Sequence, residues 1–145
     1  MKLRTIGYEG ATQAAVIDCL KRAGVAVLID VRAVASSRRA GFSKTLLAAS
    51  LAEAGIAYVH LRALGTPKAG RQAVRAGHVA EMERIYEAHL TEPQAQLQLA
   101  EALDIAQERP AALLCYEADA RHCHRRIVAG RLTQAAPFEV EDLTP

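Results

Sequence analysis

The sequence predicts an α/β fold: a single domain built on a mostly parallel sheet of about four or five strands, with helices on both faces. Three observations predict it. Short β-branched runs alternate with amphipathic stretches along the chain. The run "VAVLID" (25–30) is apolar from end to end, as a strand covered on both faces must be. A unit of helix, glycine stop and strand occurs twice, in "LKRAGVAVLIDVR" and "LAEAGIAYVHLR". The 145 residues suit one domain and can bury about two-thirds of their unfolded surface.

The elements follow in order. "LRTIGY" (3–8) reads as the first strand. Thr12 caps a helix to Ala23, with Val16, Ile17, Leu20 and Ala23 on one face and Gly24 as its stop. After the strand at 25–30, Ser43 caps a second helix that presents Leu46, Leu47, Ser50, Leu51 and Ala54 on one face and ends at Gly55. "IAYVHL" (56–61) is the next strand, and "GTPKAGRQAVRAG" (65–77) reads as a basic, glycine-containing connection. Val79, Met82, Tyr86, His89 and Leu90 mark a helix. Thr91 and Gln94 have capping-box spacing for another, packing Leu97, Ala100 and Leu103. "AALLCYE" (111–117) is a buried strand, Asp119 caps a helix over 120–132, and "FEVEDL" (138–143) closes the sheet as an edge strand.

Composition bounds the function. Hydrophobic residues make up 51% and charged residues 23%, so the chain is globular rather than disordered. Aromatics are 4% with no Trp, which removes the stacking platforms of a single-strand nucleic-acid binder. A net charge of +2 makes any anion recognition local. No signal peptide opens the chain and no run approaches a membrane span. These observations predict a cytoplasmic protein whose three cysteines are reduced unless they do redox work.

In open parallel sheets, ligands sit beyond the carboxyl ends of the strands. There the sequence turns polar: Tyr8 and Glu9, Asp30 and Arg32, His60 and Arg62, Cys115 and Glu117. Two basic clusters flank these ends. "LLCYEADARHCHRR" (113–126) crowds Arg121, His122, Cys123, His124, Arg125 and Arg126 into the start of the predicted last helix. Cations oppose the helix dipole there unless an anion occupies the space. "DVRAVASSRRAGFSK" (30–44) carries Arg32, Ser36, Ser37, Arg38 and Arg39 towards a helix start at Ser43 and Lys44, a composition suited to phosphate. Asp30 and Arg32 are expected to pair.

Three readings follow. In the first, an enzyme binds a small anionic, phosphate-bearing substrate through Arg32, Arg38, Ser43, Lys44 and Arg125. Cys115 or Cys123 is its nucleophile, and His124 or Glu117 moves protons, with His60 also a candidate to activate Cys115. In the second, the same groove binds a nucleotide or nucleic-acid backbone without catalysis. In the third, Cys115, Cys123 and His124, completed by Glu117 or His60, hold zinc or iron. The C-x7-C-H spacing matches no standard metal knuckle, and the cofactor fingerprints G-x-G-x-x-G, G-x-x-x-x-G-K and H-E-x-x-H do not occur. The five-residue gap between Cys115 and Arg121 resembles that of oxyanion loops, but the intervening "YEADA" carries two acids and no glycine. Cys19 reads as a core residue.

"TIGYEG", "LIDVR", "SRRAGFSK", "AGIAYVHLRALGTPK" and "LLCYEADARHCHR", in that order, closely resemble the bacterial and archaeal family known as domain of unknown function 488, from Thr5 to about Leu132. The match takes in Gly7, Tyr8, Glu9, Asp30, Arg32, Arg38, Ser43, Lys44, His60, Cys115, Glu117, Cys123, His124 and Arg125. The resemblance implies one α/β domain with the Cys–Glu and Cys–His–Arg elements as its site, and it brings no reaction with it. The family often has prolines where this chain has Ala35 and Ala40, and Arg121 is not part of its pattern.

Overall fold

A computed structural model describes residues 1–145. Five strands form one parallel sheet: β1 (Lys2–Gly7), β2 (Val27–Asp30), β3 (Ala57–His60), β4 (Ala111–Cys115) and β5 (Glu139–Leu143), in the order β3-β2-β4-β1-β5. Six helices connect them: α1 (Gln13–Arg22), α2 (Lys44–Glu53), α3 (Lys68–Arg75), α4 (Val79–His89), α5 (Pro93–Glu108) and α6 (Arg125–Ala135). The α/β class, the parallel sheet and the helices on both faces all match the sequence reading. No helix is long and apolar enough to cross a membrane.

Right-handed crossovers decide the layers. The chain moves from β1 to β2 to β3 in one direction along the sheet, which puts α1 and α2 on one face. It then returns to β4 and β5, which puts α3 to α6 on the other. The two apolar clusters record this division. Leu28, Ala112 and Leu114 pack under Val16, Leu20, Leu47 and Leu51, while their neighbours in sequence, Val27, Ile29, Ala111 and Leu113, face Met82, Tyr86, Ala102 and Val128. That is the two-residue period of a strand buried on both sides. At β4 the following helix leaves to one face, while its neighbours β1 and β2 send theirs to the other. A crevice opens beyond their carboxyl ends for that reason.

Several local expectations are corrected. Residues 65–77 are not merely a connection, because α3 occupies Lys68–Arg75. Gly70 disfavours a helix by propensity, yet it lets α3 sit close to its surroundings: a Cβ there would come within 2.5 Å of Thr66 Cγ2. Tertiary packing outweighs the local preference. Thr91 does not cap α5, since Glu92 is the N-cap with Pro93 in the first turn, and the Thr91 hydroxyl donates to Ala88 O at the end of α4. Leu97 and Ala100 face outward, and Ala95, Ala102 and Ala106 form the buried stripe instead. Leu46 is likewise exposed. Ser43 is the N-cap of α2 but makes no capping hydrogen bond. Its hydroxyl instead accepts from Ser37 N and donates to Ser37 O, tying the basic loop to itself.

The predicted helix over 120–132 is broken in two. Asp119 accepts from Arg121 N and caps a single 3-10 turn, Ala120–His122. Cys123 is then extended, at φ −122° and ψ 143°, and α6 begins only at Arg125. Cys123 is therefore not in a first helical turn. The interruption lets Cys123, His124 and Arg125 all turn inward.

A buried ion pair supports the crevice. Asp30 is wholly buried and accepts from Arg32 Nη2 at 2.7 Å, Arg32 Nε at 2.9 Å and Arg32 N at 3.0 Å. Arg32 Nη1 continues to Tyr8 Oη at 3.1 Å and Phe42 O at 2.7 Å, joining the ends of β1 and β2 to the loop before α2. Breaking one partner of such a pair strands a buried charge. We therefore expect Asp30→Ala to cost about 3–5 kcal/mol, read as a lowered urea midpoint. A loss below about 1 kcal/mol would show that the pair carries no structural weight.

Candidate active site

A cleft of about 580 Å³ lies over the carboxyl ends of β1, β2 and β4. Its floor and walls include Tyr8, Glu9, Arg32, Cys115, Glu117 and His124, together with Ser36, Thr66, Arg71, Arg75, Met82, Tyr116 and His122. The sheet brings these ends together through register, since Gly7 pairs with Cys115 and Asp30 with Leu114.

Arg125 holds the end of β4 in place. It is wholly buried, and its Nη1 donates to Glu117 O at 2.5 Å and to Cys115 Sγ at 3.2 Å, while Nη2 donates to Ala118 O at 3.3 Å. Its Nε has no partner. Burial pushes its pKa down, against the pull of Asp142, Glu117 and Asp119, and no carboxylate reaches it as an ion pair. Gly7 makes room for this arrangement: a Cβ there would overlap the Glu117 carbonyl and come within 2.9 Å of Arg125 Nη1.

Beside Arg125 the two cysteines meet. The sulfurs of Cys115 and Cys123 are in contact, with Cα atoms 7.3 Å apart, beyond the roughly 4.4–6.8 Å that disulfides usually span. Cys115 Sγ also lies 3.5 Å from Glu117 Oε2. Burial raises the pKa of Glu117, against a lowering by Arg125, so its carboxyl holds a proton to higher pH than an exposed one. His124 is almost fully buried, and its Nε2 lies 2.6 Å from Val31 O. A carbonyl can only accept, so Nε2 carries the hydrogen. That leaves Nδ1 with a bare lone pair 3.7 Å from Cys123 Sγ. Desolvation pushes the His124 pKa down to about 4, and the ring is neutral at pH 7.

The remaining candidates divide. Tyr8 is buried, stacked on Phe42 with ring centroids 4.2 Å apart, and Glu9 Oε1 accepts from Ala118 N at 3.0 Å. Both reach the cleft. His60 does not meet Cys115: it ends the edge strand β3, two positions from β4, and its Nε2 donates to Arg32 O at 2.7 Å. Arg38, Ser43 and Lys44 are not among the cleft residues. Arg32 pairs with Asp30, as expected, and two arginines of the crowded basic stretch are also answered, Arg121 by Asp119 and Arg126 by Glu83. Cys19 is a free, buried core thiol, as expected. Arg71 and Arg75 are cleft residues that the sequence reading passed over. Their signal was present in "KAGRQAVR", where every charge is positive and Arg71 and Arg75 recur at helical spacing.

The family model described as domain of unknown function DUF488 matches residues 12–132. The first strand, with Tyr8 and Glu9, lies ahead of that span. No curated protein and no solved structure matches the chain.

His124 generates a pH signature. Its native pKa of about 4 lies below the ordinary value of about 6.5, so between those values the unfolded chain binds a proton that the native state refuses. Stability falls as pH drops through that window, by on the order of 3 kcal/mol at about 1.36 kcal/mol per pKa unit, and levels off below it. We expect urea unfolding of His124→Asn to show a flatter dependence over the same window. An unchanged slope would contradict a buried neutral imidazole.

Proposed function

We propose, for a chain that belongs to the DUF488 family, that the cleft is a thiol-dependent group-transfer site for a small anionic substrate, with Cys115 as nucleophile. One observation carries this reading: a wholly buried arginine without a carboxylate partner donates to Cys115 Sγ at 3.2 Å. A buried cation needs a counter-charge, and a thiolate supplies it. A neighbouring guanidinium in turn favours the thiolate over the thiol.

The roles follow from position. Cys115 Sγ attacks an electrophilic acyl or phosphoryl centre, so that an S–X bond forms as the bond from X to the leaving group breaks. Glu117, whose burial keeps its proton, donates it to the leaving group. Water then attacks X, Glu117 takes the water's proton, and the thiolate is released. Cys123, poised against His124 Nδ1, sits beside the reacting sulfur and tunes it. The cleft volume of about 580 Å³ suits a small molecule better than a nucleic-acid strand.

A metal centre is the second reading. The ligand atoms of Cys115, Cys123 and His124 lie within 4.8 Å of one another, and a histidine oriented by a carbonyl through its other nitrogen is the usual arrangement of a metal ligand. In that case the purified protein would hold stoichiometric zinc or iron.

After reduction of the touching Cys115 and Cys123 sulfurs, treatment with iodoacetamide near pH 6 is expected to alkylate Cys115 at least about tenfold faster than Cys19, a buried thiol to which no guanidinium donates. Peptide mass spectrometry reads the sites. Equal rates would defeat the thiolate assignment, and protection of Cys115 that a chelator removes would favour the metal centre.

A further inference from the structure

The cations of this protein fall into two groups. Six of the 18 Lys and Arg side chains reach a carboxylate: Lys2 and Arg4 reach Glu141, Arg32 reaches Asp30, Arg121 reaches Asp119, Arg126 reaches Glu83, and Arg131 reaches Glu87. Helix α3 differs. Its sequence, KAGRQAVR, contains no acid, and neither Arg71 nor Arg75 forms an ion pair, although both line the cleft. They stand one turn apart, a spacing at which like charges repel. Arg71 is half-buried and is steadied by one hydrogen bond, from Nη1 to Thr66 O at 2.8 Å. The rest of its fork is left for another partner. The facing acids do not supply one, because Glu9 is engaged with Ala118 N and Glu117 lies against Cys115.

We propose that Arg71 and Arg75 form a phosphate subsite on the α3 wall of the cleft, holding a phosphate ester whose reacting end lies at Cys115. Only the second half of that statement rests on the thiol-dependent function. Two adjacent guanidiniums without a carboxylate between them match a dianion. The fork of Arg71, already oriented by Thr66, is suited to two phosphate oxygens at once. The wall is helical rather than a mobile loop, so the positive charge is in place before the ligand arrives.

Calorimetric titration of the whole chain with inorganic phosphate, in chloride buffer at fixed ionic strength, tests this. Saturable binding is expected, weakened about tenfold or more in Arg71→Gln/Arg75→Gln and unaltered in Lys21→Gln on α1, on the other side of the sheet. Arg75 is exposed, so Arg75→Gln alone retains the fold and is expected to weaken binding severalfold even if the double variant does not fold. Absent phosphate binding, undiminished binding in Arg75→Gln, or acetate binding as tightly as phosphate would each overturn the subsite. The titration reads no thiol chemistry, so an unreactive Cys115 would remove the catalytic reading and leave this result standing.

Discussion

A guanidinium sealed inside the protein governs the end of β4. Arg125 opens α6 yet points into the core, where it collects the Glu117 and Ala118 carbonyls and the Cys115 sulfur. Much else follows from accommodating it. Gly7 on the neighbouring strand has no side chain because the Glu117 carbonyl and Arg125 occupy that space. The helix that capping rules would start at Asp119 is interrupted at Cys123, since a continuous helix would not turn Cys123, His124 and Arg125 inward together. No carboxylate forms an ion pair with the buried charge, and the Cys115 sulfur lies beside it.

A second buried arginine shows the contrast. Arg32 is fully matched by Asp30 and spends its remaining donor on Tyr8 and Phe42. It is a brace for the cleft wall. Two similarly buried arginines, one just past the end of β2 and one at the start of α6, thus have different consequences. One is neutralised and builds the scaffold, and the other lacks a carboxylate and donates to a sulfur. The cleft-lining arginines without an ion pair lie elsewhere, on α3, whose own sequence carries no acid.

The legible parts of the sequence were those with short-range causes. The apolar run of β2, the capping threonine before α1 and the polar ends of the strands each follow from neighbours within a few residues, and each recurs in the structure. The Asp30–Arg32 pair was also readable, being two residues apart at a buried strand's end. Helix α3 was not, because its glycine argues against a helix until α4 and Thr66 are there to pack on it. The loss of His60 from the site has the same origin: proximity to Cys115 depends on strand order, and β3 lies at the sheet edge.

By itself, then, the chain's pattern determined an α/β domain class with a polar rim at the carboxyl ends of its strands, because hydrophobic periodicity and turn chemistry are local. Which charges at that rim are satisfied, which thiols touch and which arginines face the cleft were decided by the sheet order and the crossovers. Those bring together β1, β2 and β4 from distant parts of the chain, and pairwise electrostatics depends on distances that only the folded arrangement supplies.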